Sequence, residues 1–465
     1  MKGPVKLFLK VALTIATLSS PVWGAIITVN SSADPGTSGD DFITLREAIG
    51  FSNGRAFPKG GELALISGRP GAGVADTILF DRRLSGATIR PTSQLPSITD
   101  DSTFIDGDID GDGRPDVEID GSIAGEARGI TITSAYNTIR GLVISRFSQE
   151  GIEIRGPNAH HNTIVGNYIG TDIAGTLDLG NEGAGITISN GAHDNVIGGT
   201  APRDRNLISG NGHGGVIIEQ LGTDSNSIIG NYIGTDVSGM LDLGNDWDGI
   251  RIAFGARRNI VKGNVISGNG DPDHWCDGVS LWEDGTDENV VKGNYIGTNA
   301  KGTAPIGNIG SGLLIGGGAQ NNVVGGLEPE ERNIISGNGN LGVGIGGGSS
   351  GNKILGNYIG TDVTGTLSMG NTNEGIVIGD SPNNIVKYNV ISANTMNVTI
   401  RYAGSKGNVV SGNYIGTDAT GTVALDNRHG GIGIYAGASN NIIGGSTPEE
   451  RNIISGNFYD GVWID

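Results

Sequence analysis

Residues 166–171 read Gly-Asn-Tyr-Ile-Gly-Thr, and the same six residues return with their asparagine at 231, 294, 357 and 413. The spacings are 64, 63, 63 and 56 residues, too regular for chance, so the chain is built from repeats. A second signature divides each of them. A glycine followed by an apolar tetrad of alternating pattern stands at Gly151 (Gly-Ile-Glu-Ile), Gly185, Gly215, Gly249, Gly278, Gly312, Gly342, Gly375, Gly431 and Gly461. Most of these lie roughly 30 or 34 residues apart, so each long repeat holds two coils.

Further short segments of the form Asn-x-Ile-x-Gly-Asn, such as 206–211 and 333–338, lie between the tetrads. Each coil is therefore expected to carry about three short strands separated by turns of Gly and Asn, which tolerate the left-handed backbone of tight corners. Alternation points two side chains of a tetrad inward and the others outward. A single coil cannot bury its apolar side, so coils must stack, ~4.8 Å apart, and about a dozen would make a rod ~55 Å long. Asparagines at equivalent corners are expected to form amide ladders along the stack. The expected fold is all-β: a right-handed parallel β-helix solenoid over 121–465, with a small N-terminal capping region over 25–120.

Composition agrees. The 465 residues include 84 Gly and one Cys, and 17% are charged, with a formal net charge of −19. The glycines keep no three-residue period, which excludes collagen, and the recurring Ile and Val exclude disorder. Such an acidic body repels nucleic acid and anionic membrane surfaces. Residues 1–24, with Lys2, Lys6 and Lys10, the apolar run 11–18 and Val22-Trp23-Gly24, read as a cleaved signal peptide. No later stretch has the roughly 20 apolar residues of a spanning helix, so the mature chain is expected to be secreted or at the cell surface without a membrane span. Cys276 has no partner for a disulfide and reads as a small buried hydrophobe. The chain ends on Gly461-Val-Trp-Ile-Asp465 in mid-repeat, the pattern expected of a partial reading frame.

These repeats resemble the parallel β-helix proteins of the pectin-lyase-like superfamily over residues 121–465. That superfamily includes lyases, hydrolases, epimerases, adhesins and structural proteins, so the resemblance implies architecture more than activity. Thr44-Leu45-Arg46-Glu47-Ala48-Ile49 resembles the CSLREA motif near the start of many bacterial surface β-helix proteins, with Ile43-Thr44 where the motif has Cys-Ser. It is expected to form a short amphipathic helix that covers the open end of the solenoid and protects a strand edge.

Two stretches carry candidate chemistry. Asp108, Asp110, Asp112 and Asp116 follow the D-x-D-x-D-G-x-x-D spacing that wraps oxygen ligands around Ca²⁺, with Gly113 at the sharp turn and the Arg114 carbonyl as a further ligand. Ile119 stands where an EF-hand has its last Glu, so the expected role is a structural calcium ion holding the cap to the first coil.

The second stretch, 246–287, gathers Trp247, Trp275 and Trp282 with Asp248, Asp277, Arg251 and His274. Asp248 and Asp277 precede equivalent glycines in adjacent coils and should stack one strand spacing apart, where like charges share a proton or hold a cation. Tryptophan faces stack on sugars and carboxylates bond their hydroxyls, so a polysaccharide or cell-surface glycan is the expected partner. Asn245-Asp246-Trp247-Asp248-Gly249 and Cys276-Asp277 also resemble motifs of polygalacturonase-type hydrolases, whose carboxylates on neighbouring coils act as acid and base. That family has a Gly-His-Gly on the following coil. Here Gly312-Leu313-Leu314 takes that place, and Gly212-His213-Gly214 lies one coil earlier. A calcium-dependent lyase, with Asp248 and Asp277 holding the ion beside Arg251, is the other enzymatic reading. The five Ile-Gly-Thr-Asp or Ile-Gly-Thr-Asn loops, at Asp172, Asp236, Asn299, Asp362 and Asp418, read as stacked turns. The expected function is a scaffold or adhesin-like glycan binder, with a polysaccharide lyase or hydrolase as the alternative.

Overall fold

A computed structural model describes residues 24–465 except 35, 37, 38, 274, 275 and 426. Apart from Gly24, the expected signal peptide lies outside the described residues, as do His274 and Trp275. The chain visits three sheets in turn: Thr163–Val165 lies in sheet A, Tyr168–Ile169 in sheet B, Ile186–Ser189 in sheet C, and Val196–Gly198 returns to sheet A. Among the described residues sheets A, B and C have 15, 13 and 12 strands, enough for the dozen coils expected of a right-handed parallel β-helix. Among the described strands of these sheets pairing is parallel except for Ile66–Ser67, which runs antiparallel to Ile26–Val29 at the N-terminal edge of sheet A.

Inward residues stack in register. Ile164 pairs with Ile197 and Ile197 with Ile228 in sheet A, and Ile188, Ile218 and Ile252 follow one another in sheet C, all fully buried. Each contributes about 1.5–3 kcal/mol of apolar burial, and only stacking makes that burial available, because a lone coil leaves both its faces open.

The three corners are held by three asparagine ladders. One runs from Asn137 through Asn162 and Asn195 toward Asn441, where each Nδ2 donates to the next Oδ1, as in Asn137 to Asn162 at 3.0 Å. A second, between sheets A and B, runs from Asn167 to Asn452, and a third, between sheets B and C, from Asn181 to Asn394. The same oxygen usually accepts the preceding rung's backbone N–H as well, so corner amides that stacking buries stay satisfied.

The Gly-Thr-Asp loops fold over the outer face of sheet B as stacked turns. Asp236 Oδ1 accepts the N–H groups of Met240 and Leu241 at 3.0 Å, and Asp362 does the same for Thr366 and Leu367. Burial alone would raise the Asp236 carboxyl, but the Ser238 hydroxyl and the N–H groups of Leu241 and Met240 hold it below its ordinary value. Gly239 has φ +68° and sits where a Cβ would come 2.8 Å from the Tyr232 ring, so this loop lies flat on the tyrosine only with glycine there.

The solenoid does not begin at residue 121. Ile26–Val29, Thr77–Phe80 and Phe104–Asp106 already belong to sheet A, and Ala87–Ile89 and Val117–Asp120 to sheet B, so the expected boundary is not a break in the sheets. Non-repetitive sequence hid these strands because they are widely spaced. Thr44–Asn53 does form a helix, Leu45–Ser52, started by a capping box between Thr44 and Glu47. Its Leu45, Ala48, Ile49 and Phe51 join the same core as Ile27 and Ile78. Among the described residues no helix is long and apolar enough to cross a membrane.

Candidate functional site

Sheet C presents the candidate residues of 246–287. In strands Ile250–Ala253 and Val279–Trp282 the fully buried Ile250, Ile252, Val279 and Leu281 point inward, and alternation turns Arg251, Ser280 and Trp282 to the outer face, where Ser280 is nonetheless buried and Arg251 half-buried. Arg251 pairs with Ser280, and Ala253 with Trp282.

The corner residues Asp248 and Asp277 adjoin in series rather than face to face. Asp248 Oδ1 accepts the backbone N–H of Asp277 at 2.7 Å, and Asp277 Oδ1 accepts that of Ser311 at 2.7 Å. Asp277 is buried, and burial together with the neighbouring Asp248 charge pushes its carboxyl up to about 7 against the Ser311 N–H. Burial also raises Asp248, opposed by the Asp277 N–H and Arg251. Burial and these carboxylates drive the Cys276 thiol up to about 12, which keeps it protonated and unreactive at neutral pH.

Trp247 and Trp282 belong to opposite ends of this strand register. The Trp247 ring lies 4.3 Å from the His213 ring of the preceding coil, tilted by 40°, and the Trp247 N–H donates to the His213 carbonyl at 2.8 Å. Trp282 lies over Gly316 of the following coil, where a Cβ would come 2.0 Å from its ring, and it is 36% exposed.

The sequence reading passed over the concavity beside Trp247. At the position before the strand glycine, successive coils carry Arg128, Glu150, Ala184, Gly214, Asp248 and Asp277. Ala184 and Gly214 leave a gap of about 280 Å³ between the larger neighbours, bordered by Glu150, Glu182, His213 and Glu219. Burial, then the Arg251 charge, lowers the His213 imidazole below its ordinary value, against the pull of Glu150, which favours the neutral ring at pH 7. Among the described residues the Arg251 Nε is buried with no hydrogen-bond partner, so one donor beside the gap remains to be satisfied. The signal for this gap was the small residue at two successive corners next to a lone histidine.

In the acidic loop, Asp108, Asp110 and Asp116 bring carboxylate oxygens within 4.8 Å of one another. Asp112 stands outside that group and accepts the Arg114 N–H at 2.8 Å. Asp108 is also paired with the Arg140 guanidinium, a resident cation competing for the same oxygens. Three hard oxygens fit part of a calcium shell, which takes 6–8.

No protein-family model and no curated protein matches the sequence. Among solved structures, the A-module of the Azotobacter vinelandii mannuronan C-5 epimerase AlgE6 aligns over 94% of this chain and 99% of its own at 17% identity, with a TM-score of 0.51. The AlgE4 A-module of the same organism aligns over 94% and 97% at 15% identity and TM-score 0.44, and the pectate lyase Pel9A over 90% and 78% at 14% and 0.35. The likeness to the AlgE6 module, together with three stacked parallel sheets, identifies the fold as a right-handed parallel β-helix.

Proposed function

We propose that this protein is a secreted or cell-surface β-helix scaffold that binds a glycan along the outer face of sheet C. The observation that carries the reading is the gap between Glu150 and Asp248, with the Trp247 and His213 rings at its side and the unpartnered Arg251 Nε on the neighbouring strand. An extended chain of sugars suits such a surface: rings stack on aromatic faces, and hydroxyls take up the carboxylates and the guanidinium. The AlgE6 module, which shares the scaffold, is an epimerase of mannuronan. A net charge of −19 speaks against nucleic acid as a partner. Calcium on Asp108, Asp110 and Asp116 is proposed as a structural ion in the acidic loop, with Arg140 displaced from Asp108 when it binds.

A second reading, a polysaccharide lyase or hydrolase, is favoured by one observation: a carboxyl at about 7, Asp277, and an imidazole held toward its neutral form, His213, stand on the same edge of sheet C two coils apart. The mature protein, incubated with and without calcium on neutral and acidic polysaccharides, separates the two when reducing ends and absorbance at ~235 nm, where unsaturated uronate products absorb, are followed. Retention without new ends supports the binder, new ends or unsaturated products support the enzyme, and neither retention nor turnover overturns both.

A further inference from the structure

A cavity of about 470 Å³ opens between the acidic loop and the turn 201–205, above the outer face of sheet B. Tyr168, Leu207, Tyr232 and Val237 form its apolar floor, and Arg114, Arg203 and Arg205 stand around it with Asp112. Three arginines against one carboxylate make this a cationic pocket on a chain whose net charge is −19.

The later repeats show which of these arginines the fold itself requires. The turn Ala201-Pro-Arg-Asp-Arg-Asn206 returns as Glu328-Pro-Glu-Glu-Arg-Asn333 and Thr447-Pro-Glu-Glu-Arg-Asn452. Arg205 stacks on Tyr232 at 4.0 Å and donates to the Gly230 carbonyl at 3.3 Å, and Arg332 repeats both contacts with Tyr358 at 4.0 Å and Gly356 at 3.1 Å. That arginine is a peg of the turn. Arg203 is different: its counterparts are Glu330 and Glu449, and beside the second of the three turns Lys292 is already neutralised by Glu331 at 3.0 Å. Arg203 is largely exposed, with only a loose ion pair to Asp204 at 3.9 Å.

Arg114 has no counterpart in the repeats, because it arrives on the acidic loop. Gly113, at φ +89°, is packed so that a Cβ there would stand 2.8 Å from the Arg203 Cβ, which fixes the loop against the turn. The groups converge on one point: burial raises the Tyr168 phenol, while Arg114 and Arg205 pull it down and Asp112 pushes it up.

We infer that this pocket is a second binding site, for an acidic sugar residue whose carboxylate or sulfate is held by Arg114 and Arg203 and whose ring lies over Tyr168 and Tyr232. Guanidinium forks match carboxylate and sulfate oxygens, and an apolar aromatic floor matches the C–H face of a pyranose, which a bare anion would not use. The volume suits one or two sugar residues. The inference is independent of the sheet C reading, since the two sites share no residue.

Titration calorimetry tests it with trigalacturonate, its methyl-esterified neutral form, a sulfated disaccharide and inorganic phosphate as probes. Trigalacturonate or the sulfated disaccharide should bind, with affinity falling at higher salt, and Arg203→Glu should weaken that binding about tenfold or more. Arg203→Lys, which keeps the charge but loses the guanidinium fork, should weaken it less than Arg203→Glu. Arg203→Glu should melt with the wild type, since glutamate occupies that position of the same turn in two other coils. The inference fails if neither acidic sugar binds, if the methyl ester binds equally well, if Arg203→Glu has no effect, or if phosphate binds as tightly as the sugars.

Discussion

The asparagine corners and the aspartate corner solve one geometric problem with different side chains. Asn269 receives the Asn245 amide and passes its own on to Asn308, at 2.9 Å each. Asp248 and Asp277 also accept the N–H of the next coil, at 2.7 Å, but a carboxylate has nothing to donate, so the series runs from Asp248 to Asp277 and ends at Ser311. An amide both donates and accepts without charge, so it can be buried along the whole rod. A carboxylate in the same setting carries a desolvation cost and, with it, sensitivity to pH.

The largest expected effect is on the amide side. Asn294 is fully buried, accepts from Asn264 and donates to Asn333 and the Val261 carbonyl, so Asn294→Ala strands several polar groups at once. It should cost about 3 kcal/mol or more in urea unfolding. Asn294→Asp would place a carboxylate in that ladder, and its loss should be greater at pH 8 than at pH 5. An equal loss at both would break the comparison.

The aspartate corner should show a smaller effect with a defined sign. With its carboxyl raised to about 7, Asp277 holds its proton in the folded chain after the unfolded chain has released it. Stability should therefore fall as pH rises from about 4 to about 7, by on the order of 2–4 kcal/mol shared with Asp248, and be level below that window. Asp277→Asn keeps an acceptor for the Ser311 N–H and should flatten most of this slope in urea midpoints measured across the window.

Glycan retention sharpens the contrast further. Trp247→Ala should weaken retention about tenfold, the order expected of one lost aromatic platform. If Asp277 serves only the corner, Asp277→Asn should leave retention unaltered in the same affinity electrophoresis. The smallest effect is expected in the acidic loop, whose carboxylates are partly exposed: chelation should lower the melting temperature by a few degrees, and Asp110→Asn should remove that shift.

Much of this was legible from residues alone. The Gly-Asn-Tyr-Ile-Gly-Thr copies, the alternating tetrads and the recurrent asparagines pointed to stacked coils, inward rows and amide ladders, because each follows from local chemistry repeated at fixed places. The outward placement of Arg251, Ser280 and Trp282 followed from alternation alone. The sheet strands before residue 121 were not legible, since Thr77–Phe80 and Phe104–Asp106 lack the repeat's punctuation.

The sequence by itself determined the architecture, the short helix at Leu45–Ser52 and the stacking order of Asp248 and Asp277. Only the tertiary structure decided what meets across coils. Successive ladder rungs are separated by 25 residues at Asn206 to Asn231 but 39 at Asn294 to Asn333, so counting along the chain cannot align the corners. Stacking aligns them, because hydrogen bonds between coils hold the register while loops absorb the difference in length. That is why the gap beside His213, the separation of Trp247 from Trp282 and the meeting of Arg114 with Arg203 emerge only once the coils are stacked.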